Sequence, residues 1–146
     1  MKLVIQTVNS CTLSVDDKVV SQIGYGLCVF VGVNRDDNMD KVAYLAKKLT
    51  HLRIFPDENG KHNNSVLDIG GEVMVISNFT LNAEIGSGTR PSYSHSADYE
   101  TADRLYLALR DKIEEQGVAK VVTGSFRSHM HISSQIDGPI NIVLEK

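Results

Sequence analysis

The segment 77–81, Ser-Asn-Phe-Thr-Leu, places two hydroxyl groups and several backbone N–H groups at the carboxyl end of a predicted buried strand. Backbone donors that emerge together at a strand end can stabilise an oxyanion. A plainer role also fits, because Ser and Thr at strand ends commonly form turn hydrogen bonds. No general base adjoins Ser77 or Thr80 in the sequence to make its hydroxyl a nucleophile. The segment is therefore a candidate oxyanion site.

The tripeptide Asp137-Gly138-Pro139 is the second unusual element. It falls where one predicted strand should turn into the next, and X–Pro bonds in tight turns are the places where cis peptides occur. On local sequence alone, an ordinary edge turn explains it equally well.

His129 and His131 are candidate metal ligands, because they are two residues apart on a predicted strand and so share one face. A zinc site needs three or four ligands, and no Cys pair or HExxH pattern supplies the others. The sequence also lacks a glycine-rich phosphate loop, a G-x-S-x-G elbow and paired carboxylates on one helical face. We expect no metal and no cofactor, and a structural or surface role for both histidines.

The composition is that of one globular domain spanning residues 1–146, with 42% hydrophobic and 23% charged residues. A net charge of −3 argues against a broad face that binds duplex phosphates, but it allows contact with a nucleic-acid end.

Cys11 and Cys28 lie in apolar runs and are predicted to be buried and free, which suits a reducing compartment. No apolar stretch approaches the ~20 residues of a membrane span, so we expect a cytoplasmic protein without a membrane partner.

The elements that must position these residues are mostly strands. Alternating β-branched residues predict two opening strands over 3–8 and 11–15, and a tight turn at Asp16-Asp17 leads into a third. Two further apolar runs predict strands buried on both faces, over 27–33 and 72–77. Later strands are predicted over 118–123, 130–136 and 139–144. Helices are predicted from about Val42 to His51, and from an N-cap at Ser96 to Gly117 at C′.

Several motifs, in order and spread over essentially the whole chain, resemble the D-aminoacyl-tRNA deacylase family. They are Ile23-Gly-Tyr-Gly26, Leu52-Arg-Ile-Phe55, Ser77-Asn-Phe-Thr-Leu81, Gly88-Thr-Arg-Pro-Ser92, Gly124-Ser-Phe126 with Met130, and Asp137-Gly-Pro139. The resemblance implies a β-rich α/β fold, in which a barrel-like sheet folds on itself with flanking helices. It also implies hydrolysis of the ester joining a D-amino acid, or glycine, to the 3′ CCA end of tRNA.

The resemblance assigns roles to residues. Its catalytic set is Ser77, Asn78, Phe79 and Thr80, with backbone N–H groups of Phe79 and Thr80 stabilising the oxyanion and the tRNA 2′-OH assisting water. Its substrate-binding and chiral-selection set is Phe126, Met130, Gly138 and Pro139. The family is homodimeric, and each cis Gly-Pro element enters the partner's site. Main-chain atoms there would block the direction of an L side chain, and glycine lets them approach closely.

Four positions depart from the family pattern. Thr7 replaces an arginine expected to hold the Gly-Pro element, Asn78 replaces glutamine, Ile136 replaces asparagine and Asn141 replaces threonine. Thr7 cannot make a charged bidentate contact. Two alternatives therefore stay open: an editing enzyme with relaxed chirality acting on a small L-aminoacyl-tRNA, and a non-catalytic module that binds tRNA or a partner. Four basic side chains are candidates for contact with the tRNA backbone, or else are simply solvated: Arg90, Arg127, Lys47 and Lys48.

Overall fold

The computed structural model describes residues 1–86 and 88–146. The elements, in chain order, are β1 (Lys2–Val15), β2 (Lys18–Ile23), β3 (Gly26–Gly32), α1 (Met39–Thr50), β4 (Phe55–Pro56), β5 (His62–Asn64), β6 (Glu72–Ser77), a 3₁₀ turn (Phe79–Asn82), α2 (Tyr99–Glu115), β7 (Val121–Thr123) and β8 (His131–Glu145). Within the described ranges, neither helix combines the length and apolar character needed to cross a lipid bilayer.

Six strands form one mixed sheet in the order β2-β1-β3-β6-β7, with β8 paired to β1. β1 runs antiparallel to β2, β3 and β8, whereas β3, β6 and β7 are mutually parallel. β2 also packs against β6 and β7, so the sheet folds back on itself. This confirms the predicted fold class, a barrel-like sheet with flanking helices.

The alternation of side chains along β3 and β6 divides the core into two parts. Leu27, Val29 and Val75 pack on the side of the helices, whereas Cys28 and Met74 pack inside the folded sheet. Both strands are buried on both faces, as their continuous apolar sequences predicted. Both cysteines are buried and free, again as predicted.

β1 is one strand of 14 residues, so the prediction of two separate opening strands was wrong. Its two halves have different partners on one edge: β3 as far as Val8, and β2 from Cys11 onward. β8 runs along the other edge of both halves and keeps them in line. The predicted tight turn at Asp16-Asp17 is confirmed, since both residues have positive φ (48° and 60°), the conformation of a two-residue hairpin loop.

The second helix begins later than predicted. Ser96 forms a bridge with Asn34, which holds it in extended structure, and Asp98 is the N-cap instead. The Asp98 carboxylate accepts a hydrogen bond from Thr101 N at 2.8 Å. Gly117 follows the C-cap with φ 103°, as predicted for C′.

β8 is also one strand, where two strands separated by a turn were predicted. Its pairing with β1 passes from Val8 opposite Ile136 to Gln6 opposite Asn141, with irregular register between them. Residues 137–140 therefore bulge out opposite the single residue Thr7. The Gly138–Pro139 peptide bond is cis, and Gly138 has φ 118°. The bulge carries the Gly-Pro element without ending the strand.

Candidate active site

A cavity of about 880 Å³ lies beyond the carboxyl ends of the parallel strands β3 and β6. Its lining includes six of the eight predicted site residues: Ser77, Asn78, Phe79, Thr80, Phe126 and Met130. Ser77 ends β6 opposite Val31. The carboxyl ends of parallel strands are a common location for ligand sites in α/β sheets, because the following loops converge there.

The 3₁₀ turn begins with an N-cap that the sequence did not reveal. Asn78 N donates to Val31 O at 2.8 Å, and the Asn78 side-chain oxygen accepts from Thr80 N at 3.2 Å. The same oxygen accepts from the Thr80 hydroxyl. Among residues 1–86 and 88–146 no hydrogen bond uses Phe79 N–H. Of the two predicted backbone donors, Phe79 N–H is therefore available and Thr80 N–H is already engaged.

The hydroxyl of Thr80 is not arranged as a nucleophile. It donates to the carboxamide oxygen of Asn78, a group that does not act as a base at neutral pH. The carboxylate of Asp98 also lines the cavity, but the backbone N–H and then the hydroxyl of Thr101 lower the pKa of Asp98. That carboxylate caps α2 in its ionised form. The arrangement suits a reaction in which water attacks and backbone groups stabilise charge.

Asn82 fixes the far end of the 3₁₀ turn. Its side chain is buried and Nδ2 donates to Val33 O at 2.9 Å. A Cβ atom at Gly32 would lie 2.6 Å from Asn82 Oδ1, so only glycine lets β3 approach the turn this closely. Sequence inspection missed Asn82 because nothing in its local pattern distinguishes it from a loop asparagine.

Phe126 packs against Tyr106, a buried residue held in place by a hydrogen bond. Tyr106 is buried, its hydroxyl donates to Val75 O at 2.9 Å, and burial raises its pKa to about 12. The Phe126 ring stacks on Tyr106 with centroids 6.1 Å apart. Met130 lies against Gly124, where a Cβ would meet the Met130 sulfur at 2.8 Å. This wall is apolar and tightly packed.

Phe79 and Tyr93 form a pair at the mouth of the cavity. Their rings meet edge to face with centroids 4.9 Å apart, and 57% of Phe79 is exposed. An exposed aromatic ring next to a cavity is a typical contact surface for a flat or apolar ligand. Tyr93, like Tyr99 below, was not among the predicted site residues.

The remaining two predicted residues, Gly138 and Pro139, are exposed and are not in the lining of this chain's cavity. Two neighbouring residues of β1 hold the bulge that contains Gly138 and Pro139. Thr7 is buried and its hydroxyl donates to Asp137 O at 2.6 Å, while Gln6 Nε2 donates to Asn141 Oδ1 at 2.8 Å. Thr7 thus contacts the element that an arginine was expected to hold, through a neutral hydrogen bond. Ile136, at the start of the bulge, is 42% exposed.

His129 and His131 lie side by side, with ring centroids 5.1 Å apart and their planes nearly perpendicular. His129 is in the lining of the cavity. Within the described part of the chain, no group of three or more His, Cys, Asp or Glu side chains is placed to hold a metal ion.

The four basic residues predicted to contact the tRNA backbone lie in different parts of the structure. Arg127 lines the cavity, whereas Arg90 lies at a second, shallow depression with Glu84 and Ser92. Lys47 and Lys48 are in the last turn of α1. Of the four, Arg127 alone is in the cavity lining as the structure describes it.

Comparisons with known proteins agree with this architecture. The family model described as D-Tyr-tRNA(Tyr) deacylase matches residues 4–145. A D-aminoacyl-tRNA deacylase of Thermosipho africanus is 44% identical over 145 residues, covering 99% of this chain and 97% of that protein. One of Bacillus cytotoxicus is 40% identical, covering 99% of both.

Solved structures give the same fold. The structure titled c-Myc DNA Unwinding Element Binding Protein matches with a TM-score of 0.94 at 30% identity, over 100% of this chain and 99% of that one. A probable eukaryotic D-amino acid tRNA deacylase matches with a TM-score of 0.82 at 15% identity, over 98% of this chain and 97% of that one, and so supports the fold alone. On the family match and the close relatives, the chain belongs to the D-Tyr-tRNA(Tyr) deacylase family.

Proposed function

We propose that this protein hydrolyses the ester between a D-amino acid, or glycine, and the 3′ end of tRNA, as a proofreading step of translation in the cytoplasm. The observation that carries the proposal is the cavity in which Phe79 lies together with Phe126 and Met130, with a backbone N–H that no hydrogen bond uses in the described part of the chain. Family membership and relatives named D-aminoacyl-tRNA deacylase support the reaction. The site has room for one aminoacylated nucleoside.

The chemistry follows from the donors available. The ester carbonyl oxygen accepts a hydrogen bond from Phe79 N–H, and a water oxygen adds to the carbonyl carbon. Negative charge develops on the oxygen beside Phe79. The bond to the ribose 3′ oxygen then breaks, and that oxygen takes the proton lost by water, relayed by the ribose 2′-OH. The products are a free amino acid and a tRNA with a free 3′-OH, so Thr80 forms no covalent intermediate.

Chirality is selected, in this proposal, by a second copy of the chain. Gly138 and Pro139 are exposed on β8, outside their own cavity, and β8 carries further exposed apolar side chains such as Val143 (61% exposed). A homodimer would cover this face and insert the Gly-Pro backbone into the partner's cavity. A main-chain wall there excludes an L side chain, accepts any D side chain and leaves glycine unopposed.

The test is deacylation by the purified protein of matched D-Tyr-tRNA, L-Tyr-tRNA and Gly-tRNA. We expect the D-Tyr and Gly esters to be hydrolysed while L-Tyr-tRNA decays at the rate of the buffer blank. Equal turnover of the D and L esters would favour the alternative with relaxed chirality. Binding of tRNA without turnover of any ester would favour the non-catalytic module.

A second candidate, DNA binding, rests on the solved structure titled c-Myc DNA Unwinding Element Binding Protein. The net charge of −3 weighs against it, because duplex binding depends on neutralising several phosphates. Titration with duplex DNA at two salt concentrations separates the candidates: we expect binding no stronger than that of a neutral control protein.

The hydrogen bond from Thr7 to Asp137 O is expected to hold the Gly-Pro bulge in position. Changing Thr7 to Val preserves the side-chain shape in a buried position but leaves Asp137 O without the hydroxyl donor. We expect a loss of about 1 kcal/mol in the free energy of unfolding. Because the bulge is then held less firmly, we also expect kcat/KM for D-Tyr-tRNA to fall by about 10-fold, since catalysis is sensitive to small misplacements.

Thr12→Val is the matched control, since Thr12 lies on the same strand opposite Ser133, away from the bulge. It should leave kcat/KM unchanged. If Thr7→Val and Thr12→Val have the same activity, the Thr7 hydroxyl does not position the Gly-Pro element.

A further inference from the structure

Arg127 has a backbone conformation that arginine rarely adopts. It is the third residue of a turn in which Ser128 N donates to Ser125 O at 3.2 Å, and its φ is 62°. That position of a turn favours glycine when φ is positive. An arginine in this conformation at the edge of a cavity is a reason to look for a role of its side chain.

The Arg127 side chain lies over an exposed aromatic ring. Its guanidinium carbon is 4.0 Å from the centroid of Tyr99, and 64% of Tyr99 is exposed. Both residues line the cavity. The neighbouring Asp98 carboxylate is turned toward Thr101 N and Oγ1, so it does not form the ion pair that would otherwise occupy Arg127. The planar guanidinium therefore keeps its outer face and N–H edges for a ligand.

We propose that Arg127 and Tyr99 form a stacking platform for the nucleotide that precedes the terminal adenosine of the tRNA acceptor end. The inference rests on the proposed function. With the aminoacylated adenosine inside the cavity, the preceding nucleotide must leave at the mouth. Unpaired bases stack on arginine planes and aromatic rings.

The test is equilibrium binding of the dinucleotide CpA and of adenosine 5′-monophosphate to the full chain. We expect CpA to bind about 10-fold more tightly, the increment typical of one stacked base. Arg127→Gly should lower CpA affinity to that of the mononucleotide and leave the mononucleotide unaffected. Glycine suits φ 62°, so this variant should melt no lower than the wild type. Tyr99→Ala should have the same selective effect.

Arg104→Gln is the control, because Arg104 is an exposed arginine of α2 outside the cavity lining. It removes the same charge and should bind both probes as the wild type does. The proposal is overturned if the wild type binds CpA no more tightly than the mononucleotide. It is equally overturned if Arg127→Gly keeps CpA affinity, or weakens both probes alike.

Kinetics separate this proposal from the proposed function. In D-Tyr-tRNA hydrolysis, Arg127→Gly should raise KM and leave kcat unchanged. If the wild type hydrolyses no ester but Arg127→Gly still binds CpA more weakly than the wild type does, the deacylase function is refuted and the stacking platform is retained. A wild type that hydrolyses D-Tyr-tRNA with a KM unaffected by Arg127→Gly would refute the platform alone.

Discussion

Replacing Phe79 by proline is expected to lower kcat for D-Tyr-tRNA by about 100- to 1000-fold relative to Phe79→Ala, because proline removes the backbone N–H proposed to stabilise the oxyanion. Both variants lack the phenyl ring of Phe79, so the difference between their kcat values isolates the contribution of the backbone N–H. Proline suits the first position of a helical turn. The extended conformation of Asn78 (φ −144°, ψ 92°) is also close to that favoured before proline.

The measurement is single-turnover deacylation, with thermal melting to verify that both variants are folded. Phe79→Ala should retain most of kcat and raise KM, since its side chain is an exposed contact at the cavity mouth. If the proline and alanine variants have equal kcat, Phe79 N–H does not stabilise the transition state.

Replacing Gly138 by alanine is expected to reduce D-Tyr-tRNA hydrolysis by at least about 100-fold, because the added methyl group and the shifted bulge would occupy space that the substrate needs in the partner's cavity. A Cβ atom at residue 138 would lie 2.8 Å from both Ile140 N and Ile140 Cγ1, and φ is 118°, where L residues are strained. The bulge must therefore shift to accept it. Activity should be lost while the cavity of the same chain stays intact.

Gly60→Ala is the matched control for backbone strain. Gly60 also has positive φ (73°), but a Cβ there would meet none of the described residues within 4 Å, and Gly60 lies in the β4–β5 loop. It should lose some stability and keep full activity. A Gly138→Ala variant as active as Gly60→Ala would remove the Gly-Pro backbone from the mechanism.

Much of the fold could be predicted because its strands carry strong local signals. β3 and β6 are continuous apolar runs, and the two-residue turn at Asp16-Asp17 fixes the first hairpin. The continuity of β1 and β8 could not be predicted, because it comes from long-range pairing. β8 holds both halves of β1 in line, and β1 carries β8 past a bulge that reads locally as a turn.

The site was predicted unevenly for a similar reason. Ser77 to Thr80, Phe126 and Met130 were found through contiguous motifs, and the structure brings them to one cavity. The capping of Thr80 by Asn78 and the bond from Thr7 to Asp137 O depend on side-chain reach in three dimensions. Tyr99 was missed because its partner, Arg127, is distant in sequence.

The central claim is that one chain supplies the cavity and the other supplies Gly138–Pro139. It can be tested by co-expressing Gly138→Ala and Phe79→Pro chains with two different affinity tags and purifying the mixed dimer. That dimer contains one intact cavity facing one intact Gly-Pro element, so we expect about half the wild-type activity per dimer, although each parent variant is nearly inactive. A mixed dimer no more active than its parents would show that the Gly-Pro element does not act across the interface.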